Sequence, residues 1–147
     1  TLFGADGGTM TLSGSGANLV GVGTGARVDA GMATGSNVFF GGSAANTVLG
    51  GTGADVFVLG KGATSLTGGT GAANVFDFVA SATGGATDVI SDFKATDKLS
   101  LSGYTANTAA DVLKAATVSG GSTTVTLSDQ TKIVFQNYAQ LNSGNFS

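Results

Sequence analysis

The stretch GGTGADVFVLG, residues 50–60, sets three glycines ahead of Asp55, runs through four apolar residues, and closes on another glycine. The same phrase returns around it. In nine-residue lines from Met32 the chain reads MATGSNVFF, GGSAANTVL, GGTGADVFV, LGKGATSLT and GGTGAANVF. The fourth place holds Gly35, Ala44, Gly53, Gly62 and Gly71; the sixth holds Asn37, Asn46, Asp55, Thr64 and Ala73; the eighth holds Phe39, Val48, Phe57, Leu66 and Val75. Two earlier lines, SGSGANLVG (residues 13–21) and VGTGARVDA (residues 22–30), fit the frame with Asn18 and Arg27 in sixth place, and one inserted residue separates them from the clean block.

A glycine turn with a short strand cannot bury its apolar face alone, but it can when stacked on copies of itself. Glycine suits the turn, where positive φ or close backbone approach is needed. Two units make one coil, so every second unit is a vertical neighbour. The pattern therefore predicts a parallel β-solenoid in which Phe39, Val48, Phe57, Leu66 and Val75 point inward as a dry column.

Composition agrees with a folded, strand-rich chain. Of 147 residues 26 are glycine, yet 41% are hydrophobic and only 10% charged, the reverse of a disordered segment. All nine acids are Asp, and the six basic residues are scattered from Arg27 to Lys132, for a net charge of −3. No basic patch exists to meet phosphates, so nucleic acid and anionic membrane are not expected partners. No apolar run approaches the length of a membrane span, so membrane insertion is not expected. The start shows no Sec-type signal and lies close to repeat-like sequence, as in a mature form or a C-terminal piece of a longer chain.

Without histidine or cysteine there is no Ser-His-Asp triad, no thiol nucleophile and no imidazole or thiolate metal site. Nothing positions Asp77 and Asp88 as an acid–base pair, and Asp29 and Asp111 read as solvated or capping residues. The glycines of LGKGATS belong to the nine-residue frame rather than to a phosphate loop. The expectation is a protein that is not an enzyme, with no catalytic or organic-cofactor residues.

The repeat resembles the RTX nonapeptide, G-G-x-G-x-D-x-U-x, with U a large apolar residue. GGTGADVFV matches every defined place, and GGTGAANVF all but Ala73; the resemblance spans residues 13–78. It implies a β-roll in which a sixth-place Asp binds Ca²⁺ between turns together with glycine-loop carbonyls. Asp55 and Asn37 are then metal candidates, stacked with Ala73, or with Asn74 if the register slips by one; Asn46 and Thr64 face each other opposite. Asn brings no charge, so the competing reading for Asn18, Asn37 and Asn46 is an amide ladder bonded to turn amides. Few and weak calcium sites are expected, with folding carried by the apolar column and backbone hydrogen bonds.

After residue 78 the beat stops. Asp88, Ile90, Asp92, Phe93, Asp97, Leu99 and Leu101 fall in a pattern that resembles the segment closing an RTX roll. Ile90, Leu99 and Leu101 are expected to plug the column. The resemblance makes Asp88, Asp92 and Asp97 a second calcium candidate, weakened by Lys94 and Lys98; the alternative is turn and cap chemistry. A short helix is predicted over 109–116 with Thr108 as N-cap, and a β-hairpin over 122–138 turning at SDQT. The hairpin and the L-x-x-x-x-F ending resemble the C-terminal target region of type I secreted proteins.

The expected fold is all-β: a degenerate RTX-like parallel β-roll over 1–80, then a capping and C-terminal secretion-signal region over 81–147 with a β-hairpin and one short helix. The expected function is that of a non-enzymatic extracellular structural protein, secreted by a type I system and self-assembling into a surface layer, adhesin or matrix fibre. Its partners would be further copies of itself and the type I secretion apparatus. The alternative is the C-terminal calcium-dependent folding and secretion module of a larger secreted protease or lipase.

Overall fold

The computed structural model describes residues 1–147 apart from 72, 81, 83, 106 and 107. Ser81 and Thr83, at the start of the predicted cap, and Ala106 and Asn107, just ahead of the predicted helix, thus lie outside the described residues.

Eleven strands wind the roll: β1 (Leu2–Phe3), β2 (Thr9–Gly14), β3 (Leu19–Gly21), β4 (Arg27–Ala33), β5 (Val38–Phe40), β6 (Asn46–Leu49), β7 (Val56–Leu59), β8 (Thr64–Thr67), β9 (Val75–Val79), β10 (Thr87–Ile90) and β11 (Lys98–Ser102). Odd strands form one six-stranded sheet and even strands the other, with every neighbour within the roll parallel. The chain is a parallel β-solenoid with 42% of its residues in strands. Helix α1 (Ala109–Ala115), β12 (Thr117–Ser119), β13 (Ser122–Thr126) and β14 (Lys132–Phe135) follow. The hairpin β13–β14 is antiparallel, while β14 lies parallel to β10 and so fastens the hairpin to the roll. Parallel coiling continues past the last nine-residue line as far as Ser102.

The inward column forms as the eighth place predicts, with one correction. Phe39 pairs with Phe57, and Phe57 with Phe76, not Val75. The turn after β8 carries one extra residue, so Val75 faces outward half-buried and Phe76 is fully buried. The rings of Phe39, Phe57 and Phe76 stack at centroid distances of 5.1 and 5.0 Å, with planes 13° and 9° apart. Val48, Leu66 and Ile90 face them from the second sheet. Phe93 closes the stack, 5.7 Å from Phe76, and meets Phe135 and Tyr138 edge-on at 4.8 and 5.1 Å. Ile90 and Leu99 are fully buried as ordinary strand residues, whereas Leu101 is only half-buried. The plug is therefore aromatic, built by Phe93 with hairpin residues.

Fourth-place glycine answers to close approach. A Cβ on Gly71 would lie 1.6 Å from the Thr52 carbonyl oxygen, and one on Gly62 1.8 Å from that of Ala44. Coils stack backbone on backbone at these turns, leaving no room for a side chain.

Thr108 caps α1 as predicted: its Oγ1 accepts from the Asp111 N–H at 3.3 Å, and the Asp111 carboxylate takes the Thr108 N–H in return. The chain ends against the last coil, with the Ser147 N–H donating to the Leu99 carbonyl and Phe146 bridging Leu99 in parallel. No described helix is long and apolar enough to cross a membrane.

Candidate functional site: the polar ladder at the turns

Most sixth-place residues sit at the start of an inward strand and lie buried between coils; Arg27 does not, being exposed and level with Thr47, so that Ala26 stands beneath Asn46. Asn37, Asn46, Asp55, Thr64, Asn74, Asp88 and Asp97 are all buried. A buried polar group must be paired or it destabilises the fold, and these side chains pair in a repeating way.

The side-chain oxygen of each buried Asn or Asp rung accepts from the coil before it. Asn37 Oδ1 accepts from Asn18 Nδ2 at 2.9 Å. Asp55 Oδ1 accepts from the Asn37 N–H at 2.7 Å and from Asn37 Nδ2 at 3.0 Å. Asn74 Oδ1 takes the Asp55 N–H at 2.9 Å, and Asp97 Oδ1 the Asn74 N–H at 2.8 Å. On the other side Asn46 Oδ1 takes the Ala26 N–H at 3.2 Å and Asp88 Oδ1 the Thr64 N–H at 2.8 Å.

The donors of each rung turn back into its own loop. Asn18, Asn37 and Asn46 donate Nδ2 to the carbonyls of Gly16, Gly35 and Ala44, two residues earlier, at 3.0, 2.8 and 2.7 Å. Thr64 does the same through Oγ1 to Gly62 at 3.1 Å. An amide is thus satisfied on both sides. A carboxylate has no donor for that carbonyl, and its second oxygen must find an N–H elsewhere. Asp55 Oδ2 finds Gly51 at 2.9 Å, and Asp97 Oδ2 finds Lys94 at 2.9 Å. Asp92 spans the Gly68 and Gly69 N–H groups at 2.6 and 2.9 Å.

Asp88 Oδ2 finds nothing. It is buried with no hydrogen-bond partner among the described residues, as is Thr131 Oγ1. Burial pushes the Asp88 carboxyl from 3.8 up to about 6, against the opposing pull of its bonds to Thr64. Burial also raises Asp97, opposed by the N–H groups of Asn74 and Lys94 and by the Lys94 charge. The exposed Asp111 is lowered by its bonds to Thr108.

The five candidate metal residues do not converge. Asp55 and Asn37 share one ladder with Asp97, Asp88 belongs to the opposite ladder above Thr64, and Asp92 grips the turn at Gly68. Among the described residues no three acidic side chains meet around one point. The donor chemistry also opposes a cation. Both Asp55 oxygens face N–H hydrogens, Asn37 turns its NH₂ towards that carboxylate, and the Lys94 ammonium touches the Gly69 carbonyl beside Asp92. A calcium ion needs oxygens with free lone pairs, and as arranged these residues do not fit one. They form the amide-type ladder that was the competing reading of the sixth place. Asn74 enters it in place of Ala73, through the same one-residue slip that buries Phe76.

No protein-family model matches the chain, and no curated protein is significantly similar to it.

Proposed function

We propose that this chain is a non-enzymatic structural protein of the cell exterior, exported by a type I system and self-assembling into a surface layer, adhesin or matrix fibre. The observation that supports it best is the self-satisfied stack: the rings of Phe39, Phe57 and Phe76 form a dry column, and most of the buried rungs are amides or hydroxyls paired within the fold. After the last coil β11 is covered by Phe146 and Ser147, and the second sheet turns antiparallel to finish on three-residue β12. The coils are held by apolar stacking and by rungs of which Asn37, Asn46, Thr64 and Asn74 are uncharged, so coil stacks on coil with little call for a counter-ion.

The other reading, a calcium-dependent folding and secretion module of a larger protease or lipase, draws on the same cap and hairpin. Negative-stain electron microscopy of the purified chain, with calcium and with chelator, separates the two. Filaments or sheets that persist in chelator support the structural role. A monomer that loses its fold in chelator transfers support to the module.

A further inference from the structure

The two sheets differ on their outer faces. On the eight-stranded sheet one outward row reads Thr9, Arg27, Thr47 and Ser65, polar over these four coils before Val89 and Val134 continue it. On the six-stranded sheet the register places Leu19, Val38, Val56 and Val75 in one outward row. The second row places Phe40 and Val58 after Gly21, whose bare Cα lies under the Phe3 ring. Four successive coils therefore carry no charged or hydrogen-bonding side chain in either row before Asp77. Leu19 and Phe40 are each 42% exposed. Charge appears only at the C-terminal end, with Asp77 in the second row ahead of Ser100, and Lys98 ending the first one coil later.

We propose that this face binds a second copy of the chain, face to face, about a two-fold axis parallel to the roll. The proposal rests on the self-assembling role and supplies its lateral contact. Two-fold pairing along the roll keeps each coil level with its counterpart and exchanges the rows. Leu19 of one copy then meets the Phe3 ring over Gly21 of the other, Val38 meets Phe40, Val56 meets Val58 and Val75 meets Asp77, so three of the four levels are apolar on both sides. The same operation keeps the charged ends together and brings Lys98 of each copy diagonally beside Asp77 of the other. The alternative two-fold, along the strands, would set Lys98 against Leu19 and Asp77 against Phe40, with no opposite charge beside either. Asp77 Oδ1 is held by Ser102 Oγ at 2.7 Å, and Lys98 touches the Gly144 carbonyl, so both charges are already anchored at that end.

The stripe spans five strands at ~4.8 Å spacing, roughly 20–25 Å by 10 Å, well below the ~800 Å² per partner of a standard stable interface. Pairing of single chains is accordingly weak and concentration-dependent, and becomes strong when many rolls are aligned.

The test is sedimentation equilibrium of the intact chain from about 10 µM to 1 mM, beside Val58→Lys, with far-UV circular dichroism and melting to show that the variant folds. The expected result is a monomer–dimer equilibrium whose association constant falls at least tenfold in Val58→Lys. Oxidative cross-linking gives the geometry: a mixture of Val56→Cys and Val58→Cys chains should couple far faster than either chain with itself. An association constant unchanged by Val58→Lys, absence of dimer at 1 mM, or equal self-coupling of Val56→Cys overturns the proposal. End-on assembly has a separate readout. Filaments that form equally in Val58→Lys and in the parent chain would leave the structural role standing while removing this face from it.

Discussion

Replacing Asp88 by Asn should stabilise the protein at neutral pH and leave it almost unchanged near pH 4. The parent carboxyl is raised from 3.8 to about 6, which disfavours its ionised form in the fold by ~3 kcal/mol at ~1.4 kcal/mol per tenfold. Below about pH 4 the group is protonated in both folded and unfolded chains, and no penalty applies. Between about pH 4 and 6 the folded chain holds more protons, so stability falls as pH rises; above about 6 the full penalty persists. An amide at this position can do what Asn46 does on the same ladder, accepting through Oδ1 and donating Nδ2 to the carbonyl two residues earlier, there Ala44 and here Ala86. Guanidinium unfolding of both proteins from pH 4 to 8 reads the difference directly. Their separation should open from near zero to as much as ~3 kcal/mol, roughly 6–12 °C in melting temperature for a chain of this size. A separation that does not vary with pH, or an Asp88→Asn variant less stable than the parent at pH 7, would refute the reasoning. Repeating the series in calcium adds a check, because a carboxylate that held the ion would make the parent gain and the variant lose.

The same substitution at Asp55 should act in the opposite sense. Both Asp55 oxygens already hold N–H donors, so Asp55→Asn sets an amide against the Gly51 N–H and should lower stability by ~1–3 kcal/mol in chemical unfolding. Gly71→Ala, with its Cβ 1.6 Å from the Thr52 oxygen, should abolish the cooperative melting transition, whereas Gly16→Ala, which meets nothing within 4 Å, should melt with the parent. Phe57→Ala removes the middle ring of the stack, fully buried between Phe39 and Phe76, and should cost ~3–5 kcal/mol by denaturant titration. Thr108→Ala should cost ~1 kcal/mol through loss of the α1 cap.

The nine-residue beat was legible because its physical cause is local. Each unit needs a turn without side chains, then an alternating strand, and both needs are written within nine residues. Thus the solenoid, the inward Phe39, Val48, Phe57 and Leu66, and the ladder of sixth-place side chains follow from spacing. The slip to Phe76 was not decidable in the same way. Ala73 and Asn74 both suit a turn, and Val75 and Phe76 both suit a core, so only the stacking of Phe76 on Phe57 fixes the register. Beyond the clean block vertical neighbours lie further apart, Leu66 with Ile90 and Phe76 with Leu99, and the longer connections erase the period. The difference among Asp88, Asp92 and Asp97 was equally hidden. What separates them is where a second N–H comes from: Asp92 takes two from a coil more than twenty residues earlier, Asp97 one from such a coil and one from Lys94 in its own loop, and Asp88, in β10, one only.

The ladder also has a direction, and that bears on how coils join. From Asn37 to Asp97 the acceptor oxygen belongs to the later coil and the donor to the earlier one. Asn46, Asp88 and Asp92 obey the same order on the remaining turns. Asp6, which accepts from the Thr24 N–H in the coil after it, reverses the order at the first turn. Because stacking is a nearest-neighbour matter, each later coil fastens the one before it, and the rung is complete once two coils meet. Where the rung is Asn, the acceptor carries no charge, and its own donor is satisfied within the loop before any neighbour arrives. Repulsion between stacked carboxylates, which a divalent cation would otherwise have to neutralise, is largely absent from such a column. A roll built this way depends for its order on close-packed glycine turns and a dry aromatic stack, and its stability should follow the integrity of those two features more closely than the supply of metal.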